Sequence, residues 1–344
     1  MTLMEHVMGK AQAARLPFAV HFDLTYRCNE RCVHCYLDHD DHGELTTAEV
    51  IGILDQLAKA GTLFLTLSGG EVLLRDDLFD VLAHARGLGF DVKLKTNGIL
   101  VKEREAARLR ALGVRQVQIS VYSHHASVHD GITKVPGSLA RSLDAIRFLK
   151  AQGLHVLIAN VLMRQNAEDY PAVQALAREL GAEFTLDPTI TPKMDGNTSI
   201  LALRVPQTHL LRLFKDKALV GDGFCAPPPA VDEDTLDSTP CSAGHTLCYV
   251  SPYGDVYPCV QFPLPSGNLR RQTFAEIWQD SPQLAEVRGI RLRDLTTCPT
   301  CTHVATCTRC PGLAYMEGNM RGPSSADCEK STMRAAGASQ EMSG

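Results

Sequence analysis

The chain has 344 residues, and its 34 lysines and arginines against 39 aspartates and glutamates give a formal net charge of −5. Its 44% hydrophobic and 21% charged residues are typical of a globular protein, and the acidic balance argues against a broad nucleic-acid-binding surface. No apolar run approaches the roughly 18 residues that a membrane span needs. Residues 1–10 lack an apolar segment before a small-residue cleavage site, so we expect no membrane insertion, no export and a cytoplasmic location.

The first half of the chain alternates between strand-like apolar runs and helical patterns. The predicted strands are 19–25, 62–67, 91–95, 114–121, 154–162 and 183–187. The predicted helices are 46–59, 76–88, 102–112, 138–152 and 168–180, and the first of them opens with a capping-box pattern at 46–49. Such alternation indicates a parallel sheet that is covered by helices.

Six strand–helix steps are too few for a closed eightfold barrel, so we expect an α/β fold that is either a partial barrel or a doubly wound sheet. In both folds ligands bind beyond the carboxyl ends of the strands. Polar segments that follow predicted strands should therefore meet at one mouth. These segments are 28–35, 69–71, 96–97 and 120–122.

Three of the 12 cysteines lie together after the first predicted strand, in Cys28-Asn-Glu-Arg-Cys32-Val-His-Cys35. In a reducing compartment, disulfides are not the expected use of so many thiols. A tetrahedral zinc site needs four ligands, whereas three thiolates suit a [4Fe–4S] cluster with one open iron. A zinc site with His34 as the fourth ligand is the alternative.

This CxxxCxxC loop, followed by Tyr36 and by Gly-Gly-Glu after the second strand, resembles the radical S-adenosylmethionine (SAM) superfamily over residues 19–190. The resemblance implies a partial (β/α)6 TIM-like barrel and a cluster whose open iron binds the amino and carboxylate groups of SAM. Reductive cleavage of SAM then yields a 5′-deoxyadenosyl radical that abstracts hydrogen from a substrate. Glu71 either fixes the methionine end of SAM or supports the turn. The implied SAM-binding residues are Gly69, Gly70, Glu71, Asn97, Ser120 and Asn160.

Eight further cysteines lie between residues 241 and 328, and residues 253–259 are typical of a hairpin turn that leads to one of them. Eight thiolates complete two four-thiolate sites, for two zinc ions or two [4Fe–4S] clusters. The pattern from Cys241 through Gly254 and Cys259 to the later CxxC-x5-C group resembles a SPASM domain, which holds two auxiliary [4Fe–4S] clusters in radical SAM maturases. The resemblance implies an inner cluster on Cys241, Cys248, Cys259 and Cys310. It implies an outer cluster on Cys298, Cys301, Cys307 and Cys328.

These motifs predict five segments along the chain. They are an N-terminal extension 1–18, a radical SAM partial barrel 19–195, a Pro-rich linker 196–240, a SPASM domain 241–330 and a tail 331–344. Cys225 in the linker is left over, as a buried structural thiol, a substrate-site residue or a spare ligand. No catalytic residue is assigned: Asp187, Asp195 and the acids at 232–234 are either solvated loop carboxylates or the base that completes an oxidation.

The resemblance implies an oxidoreductase or maturase that abstracts hydrogen from a peptide, either a ribosomal peptide or a cofactor precursor, during oxidative crosslinking or epimerisation. Tetrapyrrole side-chain chemistry, as in modified haems, is one alternative, and a non-catalytic metal-binding scaffold is another. An anaerobic sulfatase maturase is disfavoured because Val260 stands where those enzymes carry Asp. The expected partners are the substrate and a flavodoxin or ferredoxin as electron donor. Since residues 1–18 are too short for a leader-binding domain, any leader recognition is expected from a separate leader-binding protein or from the core of the enzyme itself.

Overall fold

The computed structural model describes residues 3–220, 231–304 and 307–341. The unassigned Cys225 lies outside these described residues. Within the described part, every helix is too short or too polar to cross a bilayer.

A nine-stranded sheet forms the centre of the molecule. Its first six strands are β1 (Ala19–Thr25), β2 (Phe64–Gly69), β3 (Asp91–Thr96), β4 (Gln116–Ser120), β5 (His155–Val161) and β6 (Glu183–Asp187). They run parallel in the order β6-β5-β4-β3-β2-β1. Because β6 is an edge strand, the sheet is not closed, and the predicted α/β fold with a partial barrel is confirmed.

Five helices follow the strands close to the predicted positions: α2 (Thr47–Lys59), α3 (Leu78–Gly87), α4 (Glu103–Ala111), α6 (Ser138–Ala151) and α7 (Tyr170–Glu179). The predicted capping box is present, because Thr46 and Glu49 exchange side-chain and backbone hydrogen bonds at the start of α2. The sequence did not predict the remaining helices. They are α1 (Leu3–Ala13), α5 (Ala126–Thr133), α8 (Gln207–Lys215), α9 (Lys217–Val220), α10 (Glu233–Asp237), α11 (Phe274–Asp280), α12 (Pro282–Gly289), α13 (Pro311–Met316) and α14 (Ser325–Glu341).

The two faces of the parallel sheet differ in polarity. Successive side chains of a strand point to opposite faces, and the face that packs on the helices carries fully buried residues such as Phe22 and Leu67. The inner face is polar and includes His21 on β1, Lys95 on β3 and Gln118 on β4. The hydrophobic core therefore lies between sheet and helices, and the inside of the partial barrel is left free for polar chemistry.

The C-terminal region continues the same sheet at its other edge. Strand β7 (Leu247–Val250) pairs parallel to β1, and β8 (Asp255–Tyr257) and β9 (Gly267–Asn268) follow antiparallel. The predicted hairpin is present, with Gly254 at φ +84° in its turn, a conformation that glycine adopts without strain. The C-terminal cysteines are thereby tied to the strand that leads into the first cysteine loop.

The segments predicted as linker and tail contain a packed helix pair. Helix α8 buries Leu210, Leu213 and Phe214, and the Arg334 guanidinium of α14 lies over the Phe214 ring at 5.3 Å. The sequence analysis did not predict this helix pair. A short helix such as α8 is stabilised mainly by packing against a partner, and its partner α14 lies about a hundred residues further along the chain. Residues 207–215 are therefore not a free linker, and α14 continues through most of the predicted tail.

Candidate functional site

A cavity of about 440 Å³ opens at the carboxyl ends of the parallel strands. Nearly all of the residues predicted for the SAM cluster and SAM line it: Cys28, Cys32, Cys35, Gly69, Gly70, Asn97, Ser120 and Asn160. From the C-terminal region, Val260 and Gln261 complete the wall. The strand-end motifs therefore meet at one mouth, and the segment after Cys259 reaches the same space.

Backbone hydrogen bonds hold the first cysteine loop against the end of α5. The amides of Arg31 and Val33 donate to the carbonyl oxygens of Thr133 and Ile132, each at 3.0 Å. Burial raises the pKa of the Cys28 thiol to about 12, so this thiol is protonated in the absence of a cation. A bound metal supplies the positive charge that a buried thiolate needs, which fits the loop to an iron–sulfur cluster.

Gly69 and Gly70 stand where the end of β2 meets the chain leaving β1. A Cβ on Gly69 would lie 2.1 Å from the carbonyl oxygen of Thr25, and one on Gly70 would lie 2.4 Å from that of Arg27. The Gly70 amide donates to the Thr25 carbonyl at 2.8 Å. The two glycines thus allow a backbone contact that positions the cysteine loop, in addition to any close approach of SAM.

The Glu71 carboxylate is fully buried and does not line the cavity. It accepts hydrogen bonds from the Thr96 hydroxyl and the Asn97 amide, both at 2.8 Å, and from the Leu73 amide at 3.0 Å. Burial raises the pKa of Glu71, and these hydrogen bonds act in the opposite direction. Of the two roles considered for Glu71, the geometry favours support of the turn, because the carboxylate joins the ends of β2 and β3.

Two asparagines connect the cavity wall to neighbouring elements. Asn97 donates from Nδ2 to the Asn29 side chain at 2.6 Å, which links β3 to the cysteine loop. Asn160 donates to the Val121 carbonyl at 2.8 Å, while its buried Oδ1 has no partner among the described residues. Buried acceptors are normally satisfied, and a ligand with amino and hydroxyl groups such as SAM can satisfy this one.

The inner group of C-terminal cysteines surrounds the end of the hairpin. Burial, together with the neighbouring Cys310 and Cys259, raises the pKa of Cys241 to about 11. Burial also raises the pKa of Cys248, and the proximity of Cys259 adds to it. The structure therefore brings together the four thiols that the resemblance implied for the inner cluster.

The outer group lies nearer the surface, with Cys301 and Cys328 exposed. Burial raises the pKa of Cys328, and Cys307, Cys298 and Cys301 raise it further. Cys328 thus neighbours the other three thiols of the outer set. The chain order alone did not show this grouping, because Cys310 lies between members of the outer set.

The spacing of the thiols bears on the choice between iron clusters and zinc. Tetrahedral zinc with Zn–S bonds of about 2.3 Å holds its sulfur ligands about 3.8 Å apart. Among residues 3–220, 231–304 and 307–341, no three cysteine thiols all lie within 4.8 Å of one another. The described thiols therefore form no compact set of three or more at the spacing that a zinc ion requires.

Comparison with known proteins assigns the family. The Radical SAM superfamily model matches residues 22–177, and the SPASM model, an iron–sulfur cluster-binding domain, matches residues 241–311. The AdoMet-dependent heme synthase of Methanosarcina barkeri is 30% identical over 326 residues, which cover 87% of this chain and 92% of that protein. The chain belongs to the radical SAM superfamily.

Other proteins agree with this radical SAM assignment. The mycofactocin maturase MftC of Mycobacterium tuberculosis is 29% identical over 305 residues, covering 85% of this chain and 77% of that protein. Streptococcus suis SuiB bound to S-adenosylmethionine shares the fold, with a TM-score of 0.75 at 17% identity over 94% of this chain and 80% of that chain. The chain is thus a radical SAM enzyme that uses SAM and a [4Fe–4S] cluster, with auxiliary iron–sulfur clusters in its SPASM domain.

A histidine–aspartate pair in the radical SAM barrel was missed by the sequence analysis. His21 Nε2 and Asp23 Oδ1 lie 3.0 Å apart, and the Tyr249 hydroxyl donates to Asp23 Oδ2 at 2.9 Å. Burial, with Lys95 nearby, lowers the pKa of His21, so its imidazole is neutral and its Nδ1 can accept a proton. The available signal was the alternation of His21, Asp23 and Thr25 with apolar residues along β1.

The acids predicted as candidate bases have different surroundings. Asp187 lines the cavity at the open edge of the sheet and accepts a hydrogen bond from the Thr189 amide at 2.8 Å. Asp195 accepts the Asn197 amide of its own loop, and Asp232 accepts the Thr235 amide in the first turn of α10, each at 2.8 Å; neither aspartate lines the cavity. Of these acids, only Asp187 is placed to meet a substrate.

Proposed function

We propose that this radical SAM enzyme oxidises a carbon–hydrogen position of a peptidyl substrate, as in the crosslinking of a ribosomal peptide or of a peptide-derived cofactor precursor. The main support is the shared cavity: one side carries the CxxxCxxC loop, and Val260 and Gln261, directly after Cys259, line the other. A substrate in this space lies between the source of the radical and an auxiliary cluster that can take up an electron.

The proposed oxidation removes two hydrogen atoms from the substrate. When bound, SAM and its cluster supply a 5′-deoxyadenosyl radical that removes one hydrogen atom from the substrate. The inner cysteines would hold the auxiliary [4Fe–4S] cluster, which would supply an acceptor for one electron, and His21 Nδ1 would accept one proton, so that the substrate loses two hydrogen atoms in total. Asp23 stabilises the resulting imidazolium through Nε2, and its other oxygen is held by Tyr249.

A peptidyl substrate is supported by relatives and by the shape of the barrel. MftC is named a maturase, and the PqqA peptide cyclase of Xanthomonas oryzae is 31% identical over 287 residues, covering 79% of this chain and 77% of that protein. Thr185 and Asp187 are exposed on the edge strand β6 and also line the cavity. The open edge gives an extended chain a lateral entrance.

Tetrapyrrole side-chain oxidation is the second candidate. The alignment with the heme synthase of Methanosarcina barkeri covers 92% of that protein, against 77% for MftC. The same His21 chemistry would serve an oxidation of a porphyrin side chain. The two candidates differ in the substrate that is consumed.

A direct experiment separates them. Anaerobically reconstituted enzyme with SAM and dithionite is incubated with a small precursor peptide encoded beside the gene, or with a propionate-bearing iron porphyrin. We expect 5′-deoxyadenosine together with a peptide that has lost two hydrogen atoms by mass spectrometry. An unchanged mass with exchange of one hydrogen from solvent indicates epimerisation instead. Modification of the porphyrin alone would reject the peptide proposal.

The base is tested with a matched pair of histidines. We expect His21→Gln to retain 5′-deoxyadenosine formation and to lose oxidised product by about 100-fold, within the range for general bases. The control is His84→Gln, because His84 forms a similar pair with Asp55 at 2.8 Å outside the cavity. Equal product yields from both variants would remove His21 from the mechanism.

We also propose the domain boundaries, the partners and the cellular location of the enzyme. We propose that residues 19–195 and 241–330 act as the radical SAM and SPASM units, with 1–18, 196–240 and 331–344 flanking them. A flavodoxin or ferredoxin would reduce the cluster, and a separate protein would bind the peptide leader. A cytoplasmic location is proposed because thiolate clusters require reduced cysteines.

A further inference from the structure

Lys95 projects from the middle of the parallel sheet into the cavity. It lies on β3 opposite Gln118 of β4, and both side chains line the cavity wall. Lys95 is half-buried, and burial lowers its pKa. Lys93 lies on the same strand face two residues earlier and is not part of that wall.

The ammonium of Lys95 has no counter-ion in the described part of the protein. Neither a hydrogen bond nor an ion pair joins it to residues 3–220, 231–304 or 307–341. Asp23, Cys259 and Asp187 are close enough to favour its charged form. Asp23, however, already uses one oxygen for His21 and the other for Tyr249.

A partly buried ammonium without a counter-ion is unfavourable, because the free energy lost on removing a charge from water is offset only by a partner of opposite charge. Lys95 and Gln118 share the cavity wall with His21 and Gln261, which the proposed function places around the substrate. A substrate in this space therefore lies within the same cavity as the lysine. Gln118 can add an amide donor to the same ligand.

We propose that Lys95 binds a carboxylate of the substrate, with Gln118 as a second donor, and so fixes which carbon faces the radical. This inference rests on the proposed function and narrows its substrate class to molecules with a free carboxylate beside the reacting carbon. In a peptide, such a group is an acidic side chain or the C-terminus. The proposal predicts discrimination between a carboxylate and an uncharged amide of the same shape.

The experiment uses SAM-loaded, anaerobically reconstituted enzyme and isothermal titration calorimetry. The probes are N-acetyl-L-alanine and propionate, with N-acetyl-L-alaninamide and propionamide as uncharged counterparts. We expect wild type to bind each acid at least about tenfold more tightly than its amide, as a charge-assisted hydrogen bond implies. Lys95→Met should abolish this preference, Lys95→Arg should retain part of it, and Lys93→Met should leave it unchanged.

Several outcomes would overturn the proposal. One is equal binding, or no binding, of acids and amides by wild type, and another is a preference for acids that survives in Lys95→Met. Since SAM also carries a carboxylate, its affinity is measured in parallel. A loss of SAM binding by Lys95→Met of about tenfold or more would assign the lysine to SAM instead.

The carboxylate site and the proposed peptide oxidation can fail independently of each other. If no peptide is modified by wild type but the acid preference depends on Lys95, the carboxylate site stands and the peptide assignment fails. If peptide modification proceeds equally well in Lys95→Met, the carboxylate site fails and the peptide assignment stands.

Discussion

The hydroxyl groups of Tyr26 and Tyr249 lie 2.6 Å apart in a buried hydrogen bond, although 223 residues separate them along the chain. Because the Tyr249 hydroxyl donates to Asp23, Tyr26 is the donor to Tyr249. Tyr26 stands two residues before Cys28, and Tyr249 directly follows Cys248. The contact therefore joins the SAM-cluster loop, the histidine–aspartate pair and the inner auxiliary site.

We expect Tyr249→Phe to lower the free energy of unfolding by about 1–3 kcal/mol, because Asp23 loses a partner while it stays buried. Urea unfolding of the reconstituted protein measures this change. Tyr257→Phe is the control, since Tyr257 contacts the same ring at 5.6 Å and its hydroxyl has no hydrogen bond to the described residues. A similar loss in both variants would show that the hydrogen bond to Asp23 is not responsible, because each variant keeps its aromatic ring and loses only a hydroxyl group.

Because the ends of β1 and β2 are in close contact at Gly70, we expect that adding a single methyl group there disrupts folding. Gly70→Ala places a Cβ 2.4 Å from a carbonyl oxygen, so we expect little folded protein and loss of iron from the SAM cluster. Gly52→Ala in α2 is the control, because a Cβ there meets nothing within 4 Å. It should raise the free energy of unfolding by about 0.5–1 kcal/mol. Thermal melting and iron analysis measure both, and normal iron content in Gly70→Ala would contradict the prediction.

The grouping of C-terminal thiols predicts which pairs of substitutions act together. Each cluster holds about four iron atoms, so Cys241→Ala should remove about four, and adding Cys310→Ala should remove no more. Adding Cys328→Ala to Cys241→Ala should remove about four further atoms, since Cys328 belongs to the outer group. Iron analysis and Mössbauer spectra measure the losses. The opposite pattern would exchange Cys310 and Cys328 between the clusters.

His129 predicts an acid-dependent loss of stability. Its Nδ1 accepts the Tyr122 amide at 3.2 Å, and burial lowers its pKa from 6.5 to about 4. The folded protein favours the neutral form of His129, so its contribution to stability is complete above about pH 6.5, where the imidazole is neutral in both the folded and the unfolded state. This contribution is lost as the pH falls toward 4, because the unfolded chain then binds a proton more readily than the folded one. Between about pH 7 and about pH 5, the free energy of unfolding of wild type should fall by about 2 kcal/mol more than that of His129→Asn.

Urea unfolding at both pH values measures the difference between wild type and His129→Asn, so that any acid lability of the clusters cancels. The exposed His42 is a control of opposite sign, because its hydrogen bond to Asp38 raises its pKa. His42→Asn should therefore lose stability at the lower pH relative to wild type. Parallel pH profiles of wild type and His129→Asn would contradict the assignment to His129.

Local patterns explain where sequence prediction succeeded and where it did not. Strands β1 and β6 have the predicted bounds, because the alternation of apolar and polar residues is a property of neighbouring positions. Helix α5 was missed since it is short and ends at Lys134 with φ +62°, where a glycine would have given a recognisable stop.

The sequence by itself determined the resemblance to the radical SAM superfamily, the order of the first six strands and of five helices between them, and the two cysteine-rich regions, because each depends on spacing along the chain. Only the tertiary structure decided that β7 pairs with β1, that Arg334 of α14 lies over Phe214 of α8, and that Lys95 has no counter-ion among the described residues. These features depend on which side chains from distant segments become neighbours. The residues that become neighbours determine which side chains are buried, which charges are paired and which hydrogen-bond donors and acceptors of the cavity are left free. A local sequence pattern does not contain this information.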